Sequence, residues 1–344
     1  MPSTTLEPYT VTYNSASALP DAVWETLQAH PENSNVILPV ALKTLARERN
    51  HETAGRDQCW IVVYSAGAID FVLSVTNGDI GTYPVFVFTT HPIHHLTSDF
   101  LLPRIIRLAE ALRDAVPTTR VYSFFAPDAV TNMFVEIWHS LTGVQGYRDA
   151  YYHAKLTYCT KDSFARSGGA KRQMTIFPGL VYELRPAVES DLEAVASLCY
   201  QFAADSEPFV LTHDGALKEA TTLIRNNQIW VHGIRRAGDV VEDIASIVAF
   251  TRNSDAVATI SKVFTNPAWR RRGCAERLVR RVCKHLLATK QSVALYVAHN
   301  NPGATHVYDK VGFLGLKDGA APVEGVDSWL EIGLDRTKIE LGHW

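Results

Sequence analysis

Between residues 256 and 289 the alternating, β-branched run AVATISKVFT passes through a turn holding three consecutive arginines into the helical pattern ERLVRRVCKHLLAT. Side chains of a strand alternate between two faces, whereas those of a helix return every 3.6 residues. In the helical part Leu278, Val279, Val282, Leu286 and Leu287 keep that second spacing and form one apolar stripe. A strand that turns directly into a helix with a single apolar face buries that face by laying the helix back on a sheet. The segment therefore restricts its half of the chain to α/β architecture.

The neighbouring residues continue the pattern. LVYELRPA, QIWVHGIRR, DIASIVAFTRN, SVALYVA and SWLEIGL read as strands. SDLEAVASLCYQFAA, with Ser190 as its expected N-cap, DGALKEATTLIRNN and the short GATHVYDKVG read as helices. The polar stretch TKDSFARSGGAKRQ, residues 160–173, has Ser-Gly-Gly at its centre and reads as a linker. The half before it repeats the later part of the same order. CWIVVYS, AIDFVLSVT and YPVFVFTT are strand-like, LPRIIRLAEALRDA helical, RVYSFFA a strand, AVTNMFVEIWHSL a helix and DAYYHAKLTYC a strand. Two copies of one α/β unit are expected, each a mixed, mostly antiparallel sheet flanked by helices. Boundaries are expected at 1–160, 161–178 (the linker) and 179–344, and a length of 344 residues suits two domains.

Composition narrows the class of partner. Hydrophobic residues make up 47% and charged residues 20%, the balance of a soluble globular protein. A formal net charge of −3 argues against nucleic acid as the main partner. No apolar run is long enough to suggest a membrane span. The N-terminal MPSTTLEPYT lacks the basic and apolar regions of a secretory signal. Cys59, Cys159, Cys199, Cys274 and Cys283 are scattered without a CxxC, which suits buried thiols in a reducing compartment. A cytoplasmic protein is expected, with a nuclear share left open.

The arginine turn carries the first chemical signal. Arg270, Arg271 and Arg272 precede Gly273 at the start of the helix, followed by Cys274 and Ala275. Free N–H groups at a helix N-terminus, a glycine permitting close approach and guanidinium groups together suit an oxyanion. The turn is neither a P-loop, since no Gly-Lys-Ser/Thr follows, nor a dinucleotide fingerprint, since the first two glycines are missing. A second motif follows one strand later. NPGATHVYDKVGF, residues 301–313, spells N-x-x-A-x-x-x-Y-x-x-x-G-F, with Asn301, Ala304 and Tyr308 as its first fixed positions.

These two motifs, in this order and on these elements, resemble the GNAT superfamily of acyl-CoA-dependent N-acyltransferases. The resemblance spans roughly residues 180–335 and includes LRPAVESDLEAVASL, similar to the usual start of such a domain. It implies acetyl-CoA, or another short acyl-CoA, as co-substrate and no metal. Main-chain groups of Val263 and Thr265 would pair with the pantetheine arm, and residues Arg270 to Ala275 would bind the pyrophosphate. Asn301 would fix the arm or the acyl end, and Tyr308 would protonate the departing sulfur. A phenol ionises near 10 and a thiol near 8.5, so the phenol can serve as that acid and remain neutral beforehand.

The chain departs from the family at the general base. The glutamate that some members carry in the fourth strand is Thr259 here, with Ser261 on the same strand face. Either hydroxyl could order a water. His299, at the end of the next strand, is the nearest base visible in the sequence. Cys274 occupies a helix start, which by itself would lower a thiol pKa. Its place at a free position of the motif nevertheless favours direct attack in a ternary complex over an acyl-cysteine.

In the first half TTHPIHHLTSDF stands where the second has FTNPAWRRRGCA, and Met133 stands at the place of Tyr308. That copy reads as having lost its cofactor and acid residues, leaving packing surface or a wall for the acceptor. His91, His94 and His95 have no carboxylate or cysteine at ligand spacing. Aromatics of this half (Tyr122, Phe124, Phe125, Phe134, Trp138, Tyr151 and Tyr152) read mainly as core, a minority as pocket lining. The expected reaction is transfer of an acetyl or short acyl group to the primary amine of a small molecule. A protein or peptide acetyltransferase and a non-catalytic CoA-binding scaffold are the other readings.

Overall fold

The computed structural model describes residues 7–51, 58–78, 81–168, 179–204, 206–239, 242–317, 319 and 321–343. In chain order the elements of the first half are β1 (Tyr9–Tyr13), α1 (Asp21–Ala29), α2 (Leu38–Arg49), β2 (Cys59–Ser65), β3 (Ala68–Val75) and β4 (Val85–Thr89). They continue with α3 (Ser98–Ala115), β5 (Ser123–Pro127), α4 (Asp128–Thr142) and β6 (Tyr152–Thr160). The short α5 (Lys161–Arg166) follows. Next come β7 (Leu180–Pro186), α6 (Leu192–Ala204), α7 (His213–Arg225), β8 (Ile229–Arg236), β9 (Asp243–Asn253) and β10 (Val257–Thr265). The series closes with α8 (Cys274–Leu286), β11 (Ser292–Ala298), α9 (Pro302–Val311) and β12 (Ser328–Gly333).

The repeat is therefore complete, β-α-α-β-β-β-α-β-α-β in both halves. Sequence periodicity exposed only its later part in the first half. There α1 spans only nine residues, and α2 carries a proline, Pro39, in its first turn.

Two compact units emerge, residues 1–156 with 327–344, and residues 157–326. The boundary falls inside β6, and β12 belongs to the first unit. Its Leu330 faces Ala126 of β5 on one side and His153 of β6 on the other. SWLEIGL, expected to close the second half, thus completes the sheet of the first, and residues from Thr157 onward belong to the second. The residues expected as a linker begin with α5, whose N-cap is the Thr160 hydroxyl accepting from Ser163 N–H at 3.1 Å. Residues 169–178 of that expected linker lie outside the described residues.

Strand order in the first unit is β1-β2-β3-β4-β5-β12-β6, and in the second β6-β11-β10-β9-β8-β7. Of the pairs whose register is defined, β4 with β5 and β10 with β11 are parallel and the others antiparallel. On one face of the second sheet α8 buries Leu278, Val279, Val282 and Leu286 against Val248, Ala258, Ile260, Val293 and Leu295. Each such side chain contributes roughly 2 kcal/mol of transfer free energy. The other face meets α6 and α7 through Val231, Ile247, Ala249 and Phe264. The first unit has a matching core of Phe124, Phe134 and Trp138 beneath α3 and α4. Phe125, Tyr122 and Trp138 are wholly buried, as are all five cysteines, none of them in a disulfide.

The expected cap at Ser190 differs in detail. Residues Glu189–Asp191 form a 3₁₀ turn ahead of α6, and the Asp191 carboxylate accepts the Val188 N–H at 2.8 Å. The same carboxylate is gripped by both terminal nitrogens of Arg185, at 2.6 and 3.0 Å, which hold it below the usual range against the upward push of burial. A charged residue outbids a hydroxyl where a guanidinium can share it.

Candidate functional site

The site begins where two parallel strands part. β10 pairs with β11 only from Val257–Ser292 to Ile260–Leu295. Pairing with β9 continues along the other edge to Thr265–Ser246, past irregularities between Thr259 and Lys262. The Asn266 N–H donates to Ala245 O at 3.0 Å. Asn266 is therefore in a hydrogen-bonded position of the ladder, and Thr265 and Val263, one and three residues earlier, are in non-bonded ones. Their main-chain groups face away from β9, toward the fork. An extended amide chain entering there meets strand-edge donors and acceptors.

Because β10 and β11 are parallel, the loops after both lie at the same end of the sheet. After β10, Asn266 caps a 3₁₀ turn at Pro267–Trp269 through its side chain, which accepts from Ala268 N–H at 3.0 Å. Arg270, Arg271, Arg272 and Gly273 then lie exposed. Arg271 (φ 60°) and Gly273 (φ 71°) are both left-handed. Alternation of this kind turns successive N–H groups toward one side, a concavity suited to an anion. Gly273 is the N-cap of α8 and offers no side-chain acceptor to the helix's first N–H groups.

Two of the arginines are already positioned by neighbours. Arg270 Nε donates to Thr265 O at 3.3 Å, and its guanidinium lies 5.4 Å from the Phe264 ring centre. Arg272 lies 5.0 Å from the Trp269 ring centre. Trp269 itself is anchored by its indole N–H on Asp243, 2.8 Å away.

After β11 come His299, exposed, and Asn301, the N-cap of α9. Asn301 Oδ1 accepts the Ala304 N–H at 3.0 Å, so this oxygen serves the helix. Ala304 packs against the core of the second unit. Tyr308 lies two turns further along α9, 8% exposed, its ring 5.6 Å from Phe313. α9 is tied to α8 by the buried Arg280, whose Nη2 donates to Lys310 O at 2.6 Å. Thr259 is buried at the base of the fork and Ser261 is half-buried, its hydroxyl 3.5 Å from Ala249 O.

The protein-family model described as "FR47-like protein" matches residues 232–318, the stretch that contains both loops. No curated protein matches the chain. Among solved structures, a Drosophila protein superposes with a TM-score of 0.60 at 13% identity, over 95% of this chain and 98% of that one. A tandem GNAT protein from the clavulanic acid biosynthesis pathway gives 0.52 at 14%, over 95% and 98%. A GCN5-related N-acetyltransferase from Sphaerobacter thermophilus gives 0.51 at 14%, over 96% and 97%. The chain has the tandem GNAT fold.

Within this tandem GNAT fold the two loop positions have different polar neighbours. In the second unit Ser246, on β9, donates to Phe264 O at 2.8 Å and lies 3.1 Å from the Thr265 hydroxyl. The corresponding place beside the end of β4 holds Asp70, only 3% exposed. Burial alone would raise its pKa. Ser65, His91 (2.8 Å) and Arg104 (2.7 Å) hydrogen-bond the carboxylate and bring it below the ordinary value instead. His91 thus has a carboxylate neighbour that linear spacing could not suggest. Among the described residues no group of three or more potential ligands is placed to hold a metal.

Cys274 departs from expectation. It is 2% exposed, and desolvation raises its thiol pKa despite the opposing charges of Arg277 and Arg272. A helix start favours a thiolate, but removal from water disfavours it, and here burial outweighs the helix. This sulfur points inward instead, with Arg277 Nη2 3.7 Å away.

Proposed function

We propose that the second unit is an acyl-CoA-dependent N-acyltransferase. It would move an acetyl or short acyl group from acyl-CoA to the primary amine of a small molecule, by direct attack in a ternary complex. One observation carries this reading. A strand edge at Val263 and Thr265 that faces away from β9 and a left-handed helix entry at Arg270–Gly273 without a side-chain cap lie at the same end of two parting parallel strands. These features fit the two chemically distinct parts of one ligand, an amide-bearing arm and a pyrophosphate. The FR47-like match over the same stretch supports it.

Bound acyl-CoA supplies the activated acyl group. The exposed backbone of Arg271–Gly273 and the guanidinium groups of Arg270 and Arg272 hold the pyrophosphate. Val263 and Thr265 align the arm, and Ala275 leaves room beside the helix start. Asn301, by capping α9, fixes the helix on which Tyr308 stands, and Tyr308 holds the proton for the leaving sulfur. His299, exposed at the mouth of β11, is the candidate acceptor of the amine proton. The inward thiol of Cys274 supports direct transfer rather than an acyl-cysteine.

Replacing Tyr308 by Phe tests the reading on a panel of small primary amines. General acids contribute about 10²–10⁴-fold, so kcat is expected to fall by about a hundredfold or more with CoA affinity by calorimetry unchanged. Absence of CoA binding in the parent protein would exclude the proposal. Binding without turnover on any amine or peptide would favour a scaffold.

A further inference from the structure

The first turn of α8 carries a residue that neither motif includes. Arg277 is 4% exposed. Its Nη2 donates to Arg272 O at 2.6 Å, and its guanidinium lies 5.4 Å from the Tyr182 ring centre. A Cβ on Gly273 would come 3.3 Å from its Nη1. The guanidinium therefore fills the space directly beneath the arginine loop.

The carbonyl it grips is informative. In a trans peptide the C=O and the following N–H point in opposite directions. Arg277 draws the Arg272 carbonyl inward, so the N–H of Gly273, in the same peptide plane, is turned outward to the exposed side of the loop. That peptide lies between the two left-handed residues, Arg271 and Gly273. A non-glycine residue stays left-handed only where its surroundings hold it. The charged donor on the Arg272 carbonyl is such a hold. A second ring completes the layer, with Tyr182 lying edge-on to His232, 5.3 Å away. His232 is wholly buried.

We infer that Arg277 is a positioning residue for the anion loop, aiming the Gly273 N–H at a bound pyrophosphate and placing a fixed positive charge behind it. This inference rests on the acyl-CoA reading above. It assigns Arg277 no contact with the ligand, and its effect is confined to the pyrophosphate end of whatever the fork binds. Lysine at this place keeps the charge but lacks the planar fork that holds the carbonyl.

The test is calorimetric binding of CoA and of S-acetylpantetheine, which has the amide arm and no pyrophosphate, to the full chain, to R277M and to R277K. CoA affinity is expected to fall about tenfold or more in R277M and by a smaller factor in R277K. Affinity for S-acetylpantetheine should stay within about twofold. If R277M does not fold, the same comparison on R277K decides. Equal losses for both ligands would mark Arg277 as merely structural, and unchanged CoA affinity in a folded variant would overturn the inference. Failure of the parent chain to bind CoA would instead remove the reading on which it rests.

Discussion

The helices that follow β4 and β10 begin in different ways, although they occupy the same position in the two copies of the fold. At α3 the N-cap is Thr97, extended, with its hydroxyl accepting from Phe100 N–H. At α8 the N-cap is Gly273, left-handed, with no side chain to give. One helix start is capped by its own side chain and the other is not, which suits the ligand proposed for it. The surroundings follow suit. The α3 loop has a buried carboxylate, Asp70, beside the strand end, whereas the α8 loop has three arginines above and Arg277 beneath. The proposed binding loop and its counterpart thus differ less in backbone plan than in the side chains offered to the first N–H groups of each helix.

The comparison sharpens most strongly through His232. Burial, then the Arg277 charge, pushes its pKa down to about 4 from an ordinary 6.5. The unfolded chain binds this proton more tightly, so its contribution to stability is complete above about pH 6.5. It is lost as pH falls toward 4. The difference corresponds to about 3 kcal/mol. Denaturation across that range should show the parent losing about 3 kcal/mol more than His232→Gln does. Parallel pH profiles would mean that the fold does not depress the His232 pKa.

A smaller effect is expected from the exposed arginines. The pair Arg270→Ala and Arg272→Ala should weaken CoA binding by several-fold or more, about 1–3 kcal/mol for charged hydrogen bonds lost. Melting temperature should hardly move, since both side chains are exposed. Unchanged affinity by calorimetry would leave the cradle without its charge.

The smallest expected changes set the two N-caps against each other. Thr97→Ala should cost about 1 kcal/mol of stability and leave CoA binding untouched. Gly273→Ala forces a Cβ into a left-handed position near Arg277, costing about 1 kcal/mol as well, but it should also weaken CoA. Equal binding losses from both substitutions would erase the distinction between the loops.

Much of the candidate site could be read from the chain because its parts are local. The β10 pattern, the Arg-Gly turn and the one-sided stripe of α8 lie within one short stretch, and their periods and turn chemistry are visible without tertiary information. Asn301, Ala304 and Tyr308 were legible for the same reason. Arg277 was not, since an arginine within a charged helix reads as solvated surface until the fold buries it. The helical spacing of Arg277 from Gly273 was the available signal, and only in hindsight does it specify a contact. Asp70 and His91 met across strands from residues twenty-one apart, which no motif records. The inward turn of Cys274 likewise depended on neighbours rather than on helix position.

By itself the sequence determined the α/β class, the duplication and the pairing of an arginine loop with a tyrosine-bearing helix, because alternation, helical spacing and turn residues act over a few positions. Tertiary structure alone decided that β12 completes the first unit and that the unit boundary falls within β6. It also decided which of two similar helix starts is capped by a side chain. Strand partnership and burial are set by groups far apart in the chain, and their energies exist only once those groups have been brought together.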